Sequence, residues 1–192
     1  MDFCALDVET ANSERSSICQ IGIARFRDGE VVAEWSELIH PRAAFEPYNT
    51  RIHGIDRRTV RNAPYLPRVW DDIRSFVGED LIVAHSGFDR SAMDHAAERY
   101  QLDPLENDWL DSTKVVRGVW PQYRKSGYGL GNLARDFGIS FQHHDALADA
   151  RTCGIILVMA LDESGTSLRQ WQHGGPRPQS TGRRKGRRPA PR

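Results

Sequence analysis

Phe3-Cys4-Ala5-Leu6-Asp7-Val8-Glu9-Thr10 begins as an unbroken apolar run and then admits two acids one residue apart. Residues two apart on a strand share a face, so Asp7 and Glu9 converge while Val8 points the other way. Burying such charge is costly unless something compensates it. Adjacent carboxylates repel, and a hard cation between them relieves the repulsion. An oxygen-only donor set favours Mg²⁺ or Mn²⁺ over zinc. The alternative is a solvated acidic strand end.

Working outward, Ile18 to Phe26 and Val31 to Ile39 are expected as two more strands, with Asp28-Gly29 in a hairpin between them. Leu81 to Ala84 and Trp109-Leu110 complete the strands. Short helical stretches are expected around Thr50 to His53 and from Asp56. Pro64 to Val77 has helical spacing through Leu66, Val69, Trp70, Ile73, Phe76 and Val77, with Pro67 in its first turn. Further helices should run from Phe88 to Tyr100, from about Thr113 with Ser112 as N-cap, and from Leu130 to Phe137 with Gly138 as the stop. Asp145 should cap a last helix reaching about Leu161. This order predicts an α/β fold, a mixed five-stranded sheet flanked by helices.

On that last helix the positions 146, 149, 153, 156 and 160 form one stripe. It reads Ala146, Asp149, Cys153, Ile156 and Ala160, so Asp149 is the single acid on a packing face. An N-capping role is already filled better by Asp145. His144 precedes the helix in a loop, where an imidazole can take a proton from an attacking water. His143 beside it is expected to face solvent. Asp89, one residue past Phe88, reads equally well as a helix N-cap. Gly127-Tyr128-Gly129-Leu130-Gly131 lacks the spacing of a dinucleotide loop. His143, His144, Asp145 and Cys153 lack the spacing of a zinc site.

The 192 residues suit one domain, expected over 1–165, and a basic tail over 166–192. Residues 1–163 hold 18 Lys and Arg against 26 Asp and Glu, a net −8, and the remainder carries +8. An acidic body is compatible with a nucleic-acid partner where bound cations offset its charge. The tail, with Arg183-Arg184-Lys185-Gly186-Arg187-Arg188, is expected to be disordered from about Gly174. It either touches phosphates or only solubilises. Three scattered cysteines, Cys4, Cys19 and Cys153, fit reduced buried thiols. No basic-then-apolar leader opens the sequence, and no apolar run can span a bilayer, so a cytoplasmic protein with no membrane partner is expected.

Asp7-Val8-Glu9-Thr10, Phe88-Asp89, Tyr128-Gly129-Leu130, and His144 with Asp149 after four intervening residues occur in the order seen in the DEDDh 3′-to-5′ exonucleases. That family includes the bacterial polymerase III proofreading subunit and RNase T. Ile52-His53-Gly54-Ile55 also resembles a segment of this family, and the likeness runs over residues 2 to 161. The resemblance implies an RNase H-like fold and two Mg²⁺ or Mn²⁺ ions. Asp7 would bridge both ions. Glu9 and Asp149 would bind the one holding the nucleophilic water, Asp89 would serve the other, and His144 would be the general base. Hydrolysis of single-stranded DNA 3′ ends would release nucleoside 5′-monophosphates in proofreading, repair or turnover, with a DNA polymerase or another replication or repair protein as a possible partner. One departure stands out: His85-Ser86-Gly87-Phe88-Asp89 is one residue shorter than the family pattern and has Ser86 in place of Asn. The rival readings are an exoribonuclease and, from another class, a nucleic-acid-binding subunit without catalysis.

Overall fold

The computed structural model describes residues 1–175. Strands β1 (Phe3–Thr10), β2 (Ile18–Arg27), β3 (Glu30–Leu38), β4 (Ile82–Ala84) and β5 (Trp109–Asp111) form one sheet in the order β3-β2-β1-β4-β5. The first three are antiparallel neighbours, and β4 and β5 add in parallel to β1. The helices are α1 (Pro47–His53), α2 (Trp70–Val77), α3 (Phe88–Tyr100), α4 (Ser112–Val119), α5 (Leu130–Asp136), α6 (Ala146–Ser164) and α7 (Leu168–Gln172).

Strand alternation divides the core in two. Phe3 and Ala5 of β1 pack with α4, α5 and α6 on one face. Cys4, Leu6 and Val8 pack with α2 and α3 on the other. Asp7 and Glu9 continue the first series, so the α6 face changes from apolar core to carboxylates within one strand. The α6 stripe is buried throughout, Asp149 included.

Several local expectations are corrected. Pro64 to Val77 is not one helix: Leu66–Arg68 form a single 3-10 turn, and Val69 (φ −112°, ψ 1°) leaves helical geometry before α2 begins. After Asp56 there is a turn, because its Oδ1 accepts from the Arg58 and Thr59 N–H groups and competes with helix formation. The N-cap of α4 is Asp111, which accepts from the Thr113 N–H, and not Ser112. Helix α6 continues to Ser164. Within the stretch assigned to the tail, α7 forms with a Ser167–Gln170 capping box, and Trp171 packs against the α4, α5 and α6 core. The Arg- and Lys-rich run and the disorder expected there fall in 176–192, outside the described residues. No helix among the described residues is long and apolar enough to cross a membrane.

Candidate active site

β2 determines where α6 starts. Gly22 pairs with Asp7 across the sheet, and a Cβ at Gly22 would overlap the backbone of Ala146 and Leu147. Glycine therefore lets the first turn of α6 lie on the strand beside Asp7. Gln20, paired with Glu9, fastens that turn: its Nε2 donates to Asp145 Oδ2 and its Oε1 accepts from the Ala146 N–H, each at 3.2 Å. Asp145 caps α6 through the Ala148 N–H at 3.0 Å. Asp149 is thereby carried over the sheet. Ligand oxygens of Asp7, Glu9 and Asp149 come within 4.8 Å of one another.

Asp89 reaches the same place from β4. That strand pairs with β1 only at Cys4 and Ala5, so the Val8 N–H beyond its end needs another partner. Asp89 Oδ1 accepts it at 3.2 Å. The N-cap of α3 is Gly87, so Asp89 is a buried acid inside the first turn and not the cap. Ser86 Oγ accepts from the Phe88 N–H at 3.0 Å, which gives the residue that departs from the family pattern a local backbone role. Burial pushes His85 down, and in its neutral form Nε2–H donates to the Tyr128 carbonyl at 2.7 Å while Nδ1 accepts from the Ser112 hydroxyl at 3.0 Å.

His144 has φ 67°, and this left-handed turn directs its N–H onto Asp149 Oδ2 at 3.0 Å. Its Nδ1 lies 3.8 Å from Glu9 Oε1. Asp7, Glu9, Asp89, His144 and Asp149 thus all line one cleft of about 370 Å³. His143, expected to face solvent, is exposed but also lines the cleft, with its ring edge-on to that of His144.

The exonuclease family model of the RNase T type matches residues 4–157. This chain belongs to that family. The PolC-type DNA polymerase III of Streptococcus pneumoniae is 29% identical over 165 residues, covering 84% of this chain and 11% of that protein. The chain therefore corresponds to a small part of these relatives. Among solved structures, Exonuclease X in complex with 5′-overhanging duplex DNA superposes with a TM-score of 0.69 at 23% identity, covering 89% of this chain and 98% of the other. The nuclease domain of 3′hExo, a DEDDh member bound to rAMP, gives 0.71 at 15% identity, covering 84% and 92%. These superpositions show that the fold is RNase H-like.

In this cleft the carboxylates strongly resist ionisation together. Burial, then Asp149 and Asp89, push Glu9 up to about 8. Burial pushes Asp89 to about 7, against the lowering effect of the Val8 N–H, and Asp149 to about 6. Asp7 is raised by burial first and then by Asp89, Asp149 and Glu9. Asp149 Oδ1 is buried with no hydrogen-bond partner. An orphaned carboxylate oxygen among repelling acids fits a divalent cation, as the family generally requires. His144 is pushed down by burial and by His143 and His53, which keeps it free to accept a proton.

Three contributors were missed from the sequence. Gln20 and Asn49 carried no motif, although a glutamine two residues from a glycine on one face of an apolar strand is a readable signal. His53 was noted only as part of a segment. Its Nδ1 accepts from the Ile55 N–H at 2.9 Å, so Nε2–H donates to the Thr10 carbonyl at 3.1 Å and ties α1 to the end of β1. Asn49 donates to the same carbonyl at 3.0 Å. Phe88 also lines the cleft.

Proposed function

We propose that this protein removes nucleotides from the 3′ end of single-stranded DNA, hydrolysing the terminal phosphodiester to nucleoside 5′-monophosphates. The observation that carries this reading is the meeting of four acids from β1, α3 and α6 with His144 of the turn before α6 in one cleft, with Asp149 Oδ1 left unpaired. Asp7, Glu9, Asp89 and Asp149 would hold two Mg²⁺ or Mn²⁺ ions. Such ions supply an activated water and neutralise charge on the leaving 3′-oxygen. His144 takes the proton of the attacking water. Asp149 orients the base by accepting its backbone N–H. Ile52 and Phe88, each 37% exposed at the cleft, offer apolar faces to a terminal base. Arg15 lies over the Phe88 ring at 5.0 Å and places positive charge near the path of the strand.

RNA is the second reading, favoured by the likeness to a nuclease domain bound to rAMP. The similarity to PolC-type polymerases supports a polymerase as partner and proofreading as the setting. The test is degradation of end-labelled single-stranded DNA, duplex DNA and RNA with Mg²⁺, Mn²⁺ or chelator. Expected is metal-dependent shortening from the 3′ end, fastest on single-stranded DNA, with 5′-monophosphate products. Release of 3′-phosphates, or cleavage indifferent to chelator, would refute the mechanism. Faster loss of RNA would shift the substrate.

A further inference from the structure

The cleft holds a second donor cluster, overlapping the first at Asp149. His143, His144 and Asp149 each offer one ligand atom, and these atoms lie within 4.8 Å of one another. Consecutive side chains diverge in an extended chain, but the left-handed turn at His144 brings these two together. Their rings meet edge to face with centroids 3.8 Å apart. His143 is seated against Phe141 at 5.4 Å. It also lies against Gly131, where a Cβ would stand 3.4 Å from its Nε2 and Cδ2. Asp149 is 5% exposed, and with Oδ2 engaged by the His144 N–H its Oδ1 has no partner.

Two imidazoles and a carboxylate are a different donor set from the all-oxygen cluster of Asp7, Glu9 and Asp149. Mg²⁺ avoids nitrogen ligands, whereas Zn²⁺ accepts this set and commonly takes three protein ligands with an open position. The set also differs from the cysteine-containing group whose spacing argued against zinc. We propose that His143, His144 and Asp149 form a Zn²⁺ site in the cleft, and that Zn²⁺ bound there switches hydrolysis off in the presence of Mg²⁺. Binding needs only the three side chains. The switch rests on the proposed function, since the ion would occupy the imidazole assigned as base and the oxygen of Asp149 that the other cations need.

The test uses the full chain in excess Mg²⁺. Zn²⁺ binding is followed by competition with a chromogenic zinc indicator, and hydrolysis on an end-labelled strand. Inhibition should track occupancy at one Zn²⁺ per chain and reverse with a zinc-selective chelator. His143→Asn should weaken Zn²⁺ binding by about tenfold or more. It should shift inhibition to correspondingly higher Zn²⁺ while keeping most of the Mg²⁺-supported activity. Equal Zn²⁺ affinity in wild type and His143→Asn would overturn the site. Inhibition relieved by extra Mg²⁺ and unchanged in His143→Asn would overturn the switch. A wild-type chain that binds Zn²⁺ through His143 yet hydrolyses no strand would sink the nuclease reading and leave the site standing.

Discussion

The two sides of the cleft are held in place by different means. Asp7 and Glu9 stand on β1, which is paired along its length with β2, and Asp89 is tied to the same strand through the Val8 N–H. His143 and His144 stand on a turn that depends on one left-handed residue and one hydrogen bond to Asp149. Charge on the strand side cannot move away without disturbing the sheet, so it is stored as mutual repulsion. The loop side carries little of that repulsion. Substitutions on the strand side should therefore change activity and metal-free stability together, and those on the loop side activity alone.

Asp7→Asn should have the largest effect. It removes the acid that faces the other three, and single-turnover hydrolysis should fall by about a thousandfold or more. In chelator the same variant should melt at a higher temperature than wild type, because a buried like charge is gone. A variant that kept a tenth of the activity would break the assignment of the strand side.

His144→Asn sharpens the contrast from the other side. Asparagine tolerates φ 67°, so the turn and its N–H to Asp149 should survive. Activity should drop about a hundredfold or more through loss of the base, with no change in the chelated melting temperature. If His143→Ala proved more damaging than His144→Asn, the base would be misassigned.

Gln20→Leu tests the joint between the sides and should cost less. Losing hydrogen bonds to Asp145 and the Ala146 N–H should destabilise by about 1–2 kcal/mol. Activity should fall roughly tenfold as Asp149 loses its placement. Wild-type activity in a fully folded variant would show that Gly22 alone seats α6.

The strand side was the legible side. A period of two places Asp7 with Glu9, and the helical stripe places Asp149. Both readings hold because each residue sits inside a regular element whose neighbours are apolar. Asp89 was ambiguous because its role depends on β4 ending short of Val8, and strand pairing lengths leave no local trace. His144 rests on resemblance more than on physics, since a left-handed turn at a histidine has no sequence signature. The α7 helix escaped because five residues are too few for periodicity, though Ser167 and Gln170 are a capping pair in plain view.

The smallest effect is also the one that isolates the stored repulsion. With chelator present, the protein should melt several degrees lower at about pH 8 than at about pH 5.5, since a shift of roughly 1 kcal/mol moves a domain of this size by a few degrees. Glu9 is raised to about 8, Asp89 to about 7 and Asp149 to about 6, each chiefly by burial. In the unfolded chain such carboxyls release their protons near pH 4. Between those values the folded state holds protons that the unfolded chain has already lost, so rising pH favours unfolding. The contribution is whole below about pH 4 and gone above about pH 8. A divalent cation binds the deprotonated acids, so Mg²⁺ should raise the melting temperature more at pH 8 than at pH 5.5. Asp7→Asn should flatten the chelated slope, whereas His144→Asn should not flatten it, because a histidine held below its usual value contributes a slope of the opposite sign. A slope that Mg²⁺ does not alter, or one that follows the histidine, would mean that the repulsion is not confined to the strand side.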